Sequence, residues 1–185
     1  VTGVQTCALP ISERLVKKEF KKNYIILRYF NVVGASPSKK IGLINRYGQL
    51  FKNFAVEILK KKPKLSVYGN NYNTADGTCI RDFIHVSDLA DIHLKVLSKV
   101  SKNNKSIVLN CGYGKGFSVL EVVNSFKKFS KNKIVVQFEK RRKAEIVESV
   151  ANVSKLKKYL QWRPKFFNLN RMIKNSIDWE KRLIK

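Results

Sequence analysis

Cysteine, histidine and acidic side chains are all scarce in this chain, and each shortage excludes something. Three cysteines, Cys7, Cys79 and Cys111, show neither C-x-x-C nor metal-ligand spacing, and two histidines, His85 and His93, are too few for a metal centre. A reduced, cytoplasmic setting is therefore the default expectation. No apolar run approaches the roughly 18 residues that a membrane span needs, so no membrane partner is expected. Repeats and low-complexity linkers are also missing. What remains is a sequence of 185 residues with ordinary apolar content. That is enough for one domain burying roughly two thirds of its unfolded surface.

The shortage of acid leaves 38 basic residues against 13 acidic ones, a net charge of +25. Such a balance invites a nucleic-acid reading. The lysines, however, are scattered through Lys17-Lys18, Lys21-Lys22, Lys60 to Lys62, Lys127-Lys128 and Lys157-Lys158, on polar helix faces or at helix ends. No RRM-like, helix-turn-helix or zinc-finger pattern accompanies them. No nucleic-acid partner is expected, and a basic binding module stays as an alternative carried by charge alone.

Residues 1–11 carry no charge, unlike the lysine-dense remainder. They lack the basic start and long apolar core of a signal peptide. They resemble the in-frame translation of a sequencing adapter, so native sequence is expected to begin near Ser12. Ser12 to Lys22 reads as a helix with Leu15, Val16 and Phe20 on one side. Tyr24 to Leu27 is a continuous apolar run, as in a buried parallel strand. It delivers Arg28-Tyr29-Phe30-Asn31 to a strand's carboxyl end, where ligands sit in open α/β sheets. Asn31 is there either as an amide for a ligand or as a turn residue.

A loop with Gly34, Pro37, Gly42 and Gly48 follows. An amphipathic helix carries Leu50, Phe51, Phe54, Ala55, Ile58 and Leu59, closes with Lys60 to Lys62 and stops before Pro63. Leu65 to Tyr68 is a short strand. Further on, Ile107 to Asn110 and Ile134 to Phe138 are strands. Gly112 to Gly116 reads as a flexible turn, neither G-x-G-x-x-G nor a Walker motif. Ser118 and Glu121 have capping-box spacing, with Phe117 placed to staple onto Val122. Val119, Val122, Val123 and Phe126 form that helix's core face. Asn152 or Ser154 caps a short helix bearing Leu156 and Leu160. Leu169, Met172, Ile173 and Ile177 pattern the last helix, with Trp179 and Leu183 helping.

The chain is organised around residues 77–91. Phe83 to Val86 reads as a strand, Ser87 as an N-cap, and Asp88 as first-turn negative charge. Leu89, Ile92, Val96 and Leu97 mark one helix face. Arg81, on the approach to the strand, is either a fork of donors for a phosphate or the ion-pair partner of Asp82. Arg142, after Glu139-Lys140-Arg141, is either a diphosphate clamp or one more solvated cation.

Arg81-Asp82-Phe83-Ile84-His85-Val86-Ser87-Asp88-Leu89-Ala90 resembles the extended short-chain dehydrogenase superfamily. Gly69-Asn70-Asn71-Tyr72-Asn73-Thr74-Ala75-Asp76-Gly77-Thr78-Cys79-Ile80-Arg81-Asp82 is similar to a run of the UDP-glucose 4-epimerase family. Leu27 to Ala35, Asn110-Cys111-Gly112, Ser118 to Val122, Arg141-Arg142 and Ser154-Lys155 keep the family's order.

The resemblance implies an α/β fold: the C-terminal part of a Rossmann-type parallel sheet plus a smaller α/β substrate-binding domain. Residues 12–35 would finish the dinucleotide-binding domain. Residues 36–185 would be mainly the substrate domain, with segments near 80–112 returning to the first sheet. It also implies UDP-hexose 4-epimerisation, with NAD removing and returning hydride at C4 of a UDP-sugar. The glucose and galactose forms are the expected pair, the N-acetylhexosamines a possible extension, and the intact parent a homodimer. Tyr29 would lie beside the nicotinamide, and Asn31 would hold the UDP. Ser66 to Tyr68 would meet the uracil, and Arg81 and Arg142 would take the diphosphate. Gln49 and Leu50 match a substrate loop. Glu145 stands where relatives place an Asp on the ribose, Ser149 where side-chain size governs acetylated sugars, and Lys52 where many relatives have Pro.

No Tyr in the chain has a Lys four residues later, and no glycine-rich strand–turn–helix is present. The family's base and pyrophosphate site are thus missing. No catalytic residue is assigned, and the chain alone is expected to be inactive and poorly stable. A nucleotide-sugar 4,6-dehydratase, decarboxylase or reductase of the same superfamily is the other enzymatic reading.

Overall fold

The computed structural model describes residues 3–44, 48–100 and 105–184. The first two residues of the uncharged start and residues 45–47 of the glycine-bearing loop lie outside that range. The element order is α1 (Gly3–Glu19), β1 (Ile25–Tyr29), β2 (Asn31–Val33), α2 (Leu50–Glu57), β3 (Lys64–Tyr68), β4 (Ile80–His85) and α3 (Val86–Val100). It continues with β5 (Ile107–Cys111), β6 (Gly116–Ser118), α4 (Val119–Lys127), β7 (Val135–Glu139), β8 (Glu148–Ser149), α5 (Ser154–Leu160) and α6 (Leu169–Ile184).

The expected α/β class is present, built from short, mainly parallel ladders. Parallel pairing joins β1 to β5, β2 to β4, β3 to β7 and β4 to β8, while β4 and β6 run antiparallel. β1 and β2 are nearly one strand. Only Phe30 interrupts them, and its amide donates to the Cys111 carbonyl at 3.1 Å. Asn31 therefore opens a second ladder, opposite Phe83, instead of closing the first.

Helices α2, α4 and α6 pack together over these ladders. Phe51 lies 4.9 Å from Phe83 and 5.6 Å from Phe126 between ring centroids, and Phe54 lies 5.5 Å from Phe126. Met172, Ile173 and Ile177 complete this core from α6. The capping box of α4 forms as its spacing requires: Ser118 Oγ accepts from Glu121 N at 3.0 Å, and Glu121 Oε2 accepts from Ser118 N at 2.7 Å. Asn152, not Ser154, caps α5 in effect, since its Oδ1 accepts from Ser154 N at 3.1 Å.

Several expectations are corrected. The central strand starts at Ile80 instead of Phe83, because Ile80 to Asp82 pair with β6, and Ile80 and Arg81 also pair with β8. Ser87 lies inside α3, and its amide donates to His85 Nδ1 at 3.0 Å, so a histidine ring does the capping. Leu97 is 68% exposed and Leu183 45% exposed; neither joins the core. The helix expected over Ser12 to Lys22 is α1, which begins at Gly3, carries Pro10 within it and ends at Glu19. Leu15 on that helix and Phe20 just past its end are exposed. α2 ends at Glu57, before the lysine triplet.

Candidate functional site

The residues 69–82 form a turn that aims Arg81. Asp76 Oδ1 accepts from both Thr78 N (2.9 Å) and Thr78 Oγ1 (2.7 Å), and its other oxygen accepts from Ser118. Burial pushes the Asp76 carboxyl upward, but these bonds outweigh it and hold it below the usual carboxylate range. Gly77 has φ +75°, and a Cβ there would stand 2.1 Å from the Asn70 carbonyl oxygen, so only glycine closes this turn.

Beyond the turn, β4 alternates. Asp82 faces inward, fully buried, and accepts from Tyr113 N (2.9 Å), Gly114 N (2.8 Å) and Ala151 N (3.2 Å). The glycine turn 112–116 is thus an anion cradle, and its anion is a carboxylate of the chain itself. Arg81 faces the opposite way. Its Nη2 donates to Glu145 Oε1 at 2.5 Å, and its Nη1 donates to the carbonyls of Ile80 (2.8 Å) and Val147 (3.2 Å). The ion-pair partner of Arg81 is Glu145, not Asp82.

Arg81 lines a cavity of about 620 Å³. Tyr29 and Asn31 reach it from β1 and β2, Gln49 and Leu50 from the start of α2, Ser66 and Tyr68 from β3, and Arg142 and Glu145 from the segment after β7. Nine of the ten residues singled out from the sequence share this one wall. Ser149 does not line it; it stands across from Arg81 in the β4–β8 ladder.

The site's chemistry follows from these placements. Gln49 is extended (φ −108°, ψ 130°) and gives α2 no side-chain cap, so the first N–H groups of α2 keep their donor capacity at the cavity. Asn31 spends one amide hydrogen on the Asp82 carbonyl (3.0 Å) and keeps its Oδ1 for the cavity. The Arg142 guanidinium lies 4.0 Å from the Tyr68 ring centroid, a cation resting on an aromatic face. Two guanidinium groups, an uncapped helix start and an aromatic plane suit a phosphorylated ligand that has a flat base.

Tyr29, half exposed at the rim, meets His93 Nε2 through its hydroxyl at 2.5 Å. His93 Nδ1 must carry the ring's proton, because it faces the Leu89 carbonyl at 2.8 Å. Tyr29 is therefore the donor of this pair. Desolvation, and behind it Cys111, push the phenol above its ordinary value. Among the described residues no three His, Cys, Asp or Glu side chains gather to hold a metal. None of the described helices is long and apolar enough to cross a membrane.

The sequence reading missed Asn53, Glu57 and Lys64, which also line the cavity. The signal was present: Asn53 and Glu57 follow Leu50 at i+3 and i+7 on α2, and Lys64 shares a strand face with Ser66 and Tyr68.

Comparison with known proteins agrees with this geometry. The NAD dependent epimerase/dehydratase family matches residues 11–112, more than half of the chain. The UDP-glucose 4-epimerase of Azospirillum brasilense is 39% identical over 160 residues, 86% of this chain and 46% of that protein. The crystal structure of UDP-glucose-4-epimerase from Stenotrophomonas maltophila with bound NAD and formylated UDP-arabinopyranose superposes with a TM-score of 0.86 at 30% identity. It matches 97% of this chain and 54% of that one. The UDP-Glc/GlcNAc 4-epimerase of Campylobacter jejuni gives a TM-score of 0.73 at 36% identity, covering 94% and 53%. The chain spans about half the length of the relatives it matches. It belongs to the NAD dependent epimerase/dehydratase family.

Proposed function

We propose that this chain is the nucleotide-sugar-binding part of a UDP-hexose 4-epimerase, and that the cavity between α2, β3 and β4 takes the UDP-sugar. One observation carries the reading. Side chains from six separate segments converge on one cavity lined by two arginines and an aromatic plane. In this reading Arg81 and Arg142 take the diphosphate, each as a planar fork of donors. The uncapped start of α2 at Gln49 and Leu50 adds backbone donors. Ser66 and Tyr68 border the uracil, and Arg142 leaves the Tyr68 face as the base arrives. Asn31 accepts from the nucleotide through Oδ1, and Glu145 keeps Arg81 oriented.

Removal and return of hydride at the sugar's C4 is the chemistry NAD supplies when bound. The residues present fit only its reactive end. Tyr29, at the carboxyl end of β1, offers a phenol and a ring edge at the rim, held by His93. A pyrophosphate-binding glycine loop and a Tyr-x-x-x-Lys base are missing from the 185 residues, so this chain performs no proton transfer in our reading. Interconversion of UDP-glucose and UDP-galactose, a homodimeric assembly and a cytoplasmic setting belong to the intact enzyme and are part of the same proposal.

Calorimetric titration of the full chain with UDP and UDP-glucose tests it. UDP should bind, dTDP should bind more weakly, and no epimerase activity should accompany binding. A folded chain that ignores UDP overturns the reading.

A further inference from the structure

A buried ion pair next to the cavity has no role in the reading above. Lys52 on α2 and Glu180 on α6 are 7% and 5% exposed, with Nζ 2.6 Å from Oε1. Taking both charges out of water offsets most of their mutual attraction, so stability alone is a weak reason for the pair. The Lys52 ammonium makes a second bond, 2.9 Å, to the Leu43 carbonyl. Trp179 Nε1 donates to the same carbonyl at 3.0 Å. Both lone pairs of one backbone oxygen are thereby occupied by side chains of two helices.

The neighbouring loop is fastened to the same helix. A Cβ on Gly42 would stand 2.4 Å from Trp179 Cδ2, so the backbone lies directly on the indole. Ser36 N donates to the Ile41 carbonyl at 2.9 Å and closes the loop's turn. Arg182 donates to the Lys39 carbonyl, and Lys39 Nζ stands 3.5 Å from Asp178. Lys52 lies on the buried face of the helix whose first residue, Leu50, and N-cap, Gln49, wall the cavity.

We propose that Lys52 and Glu180 are positioning residues. Their pair holds the Leu43 carbonyl, and with it the loop from Ser36 to Ile44, against α6. It thereby sets where Gln49 and Leu50 stand at the cavity wall. The consequence for nucleotide binding rests on the function proposed above; the tether itself does not.

The full chain tests this with Lys52→Met, Glu180→Leu and the two combined. Each single change strands a buried charge and should lower the urea midpoint. The double change removes both charges and should restore that midpoint. In the double variant, hydrogen exchange should still rise about tenfold or more at the amides of Ser36 to Ile44. Exchange in β3 and β7 should stay unchanged, and UDP affinity should weaken about tenfold. Trp179→Phe removes the second donor to Leu43 and leaves the charges in place, and it should loosen the same amides. Native exchange in that loop in both the double variant and Trp179→Phe overturns the tether. A loosened loop with native UDP affinity overturns the positioning role. A chain that never binds UDP, yet loosens as described, removes the nucleotide reading and leaves the tether standing.

Discussion

Arg81 and Glu145 meet across 2.5 Å on the inner wall of the cavity, although 64 positions separate them in the chain. Their side chains are 14% and 25% exposed. The carboxylate fixes one end of the guanidinium, and the Ile80 and Val147 carbonyls fix another. What is left is a short arc of N–H donors facing the space that the nucleotide would occupy.

Arg81→Lys keeps the charge and discards this arc. A lysine has one rotatable ammonium and cannot bond Glu145, Val147 and a diphosphate in one plane. Loss of one charge-assisted bond is worth about 1.5–3 kcal/mol. UDP affinity measured by calorimetry should therefore weaken by roughly ten- to a hundredfold. Native affinity in the lysine variant would remove Arg81 from the diphosphate site.

Asp82, next in the chain, does the opposite job and predicts a stability effect. Its two oxygens accept three backbone N–H groups, and a Cβ on Gly112 would stand 2.6 Å from Oδ2. Asp82→Asn turns one acceptor into a donor facing those amides, in a site with no room to move. Urea denaturation should show a loss of about 3 kcal/mol. A loss well below 1 kcal/mol would mean that the cradle relaxes around the amide.

The contrast between these neighbours marks how far the sequence could be read. Arg81 reads as a candidate phosphate fork from its residue type, and the distinctive run around it is what implies a diphosphate role. The partner of Arg81 could not be read. Asp82 was the nearest acid, but a β4 strand that begins at Ile80 throws the two side chains to opposite faces. The partners of Asp82 lie 31, 32 and 69 residues away, and nothing local announces them. Ser87 failed as a cap for a related reason: the strand runs directly into the helix, and the His85 ring reaches the Ser87 amide first. The capping box at Ser118, by contrast, needs only four residues and forms as its spacing requires.

Cys111 predicts a pH effect. It is fully buried in β5, and burial pushes its thiol up to about 12 from an ordinary 9.0. The folded value lies above the unfolded one, so this contribution is fully present below pH 9.0 and is lost as pH rises through about 12. Tyr113 is pushed up in the same sense, by burial first and then by its bond to Asp88. The urea midpoint should fall steadily over that alkaline window, and Cys111→Ala should flatten the slope. A thiol reagent at neutral pH should label Cys111 only after unfolding. Fast labelling of Cys111 in the native chain would contradict the burial argument.

Ser149 gives the last prediction, about sugar choice. It pairs with Arg81 across parallel strands, so the two side chains leave the sheet on the same face. Ser149 does not line the cavity, whereas a tyrosine there would extend past Arg81 toward the space that the proposed function gives to the sugar. Ser149→Tyr should therefore leave UDP-glucose binding to the chain within about twofold and weaken UDP-N-acetylglucosamine about tenfold or more, the scale at which pockets discriminate small groups. The measurement is paired calorimetry with the two nucleotide sugars on the same preparation. Equal losses for both would mean that the ring blocks the cavity generally, and that the small residue at this position does not make room for an acetyl group.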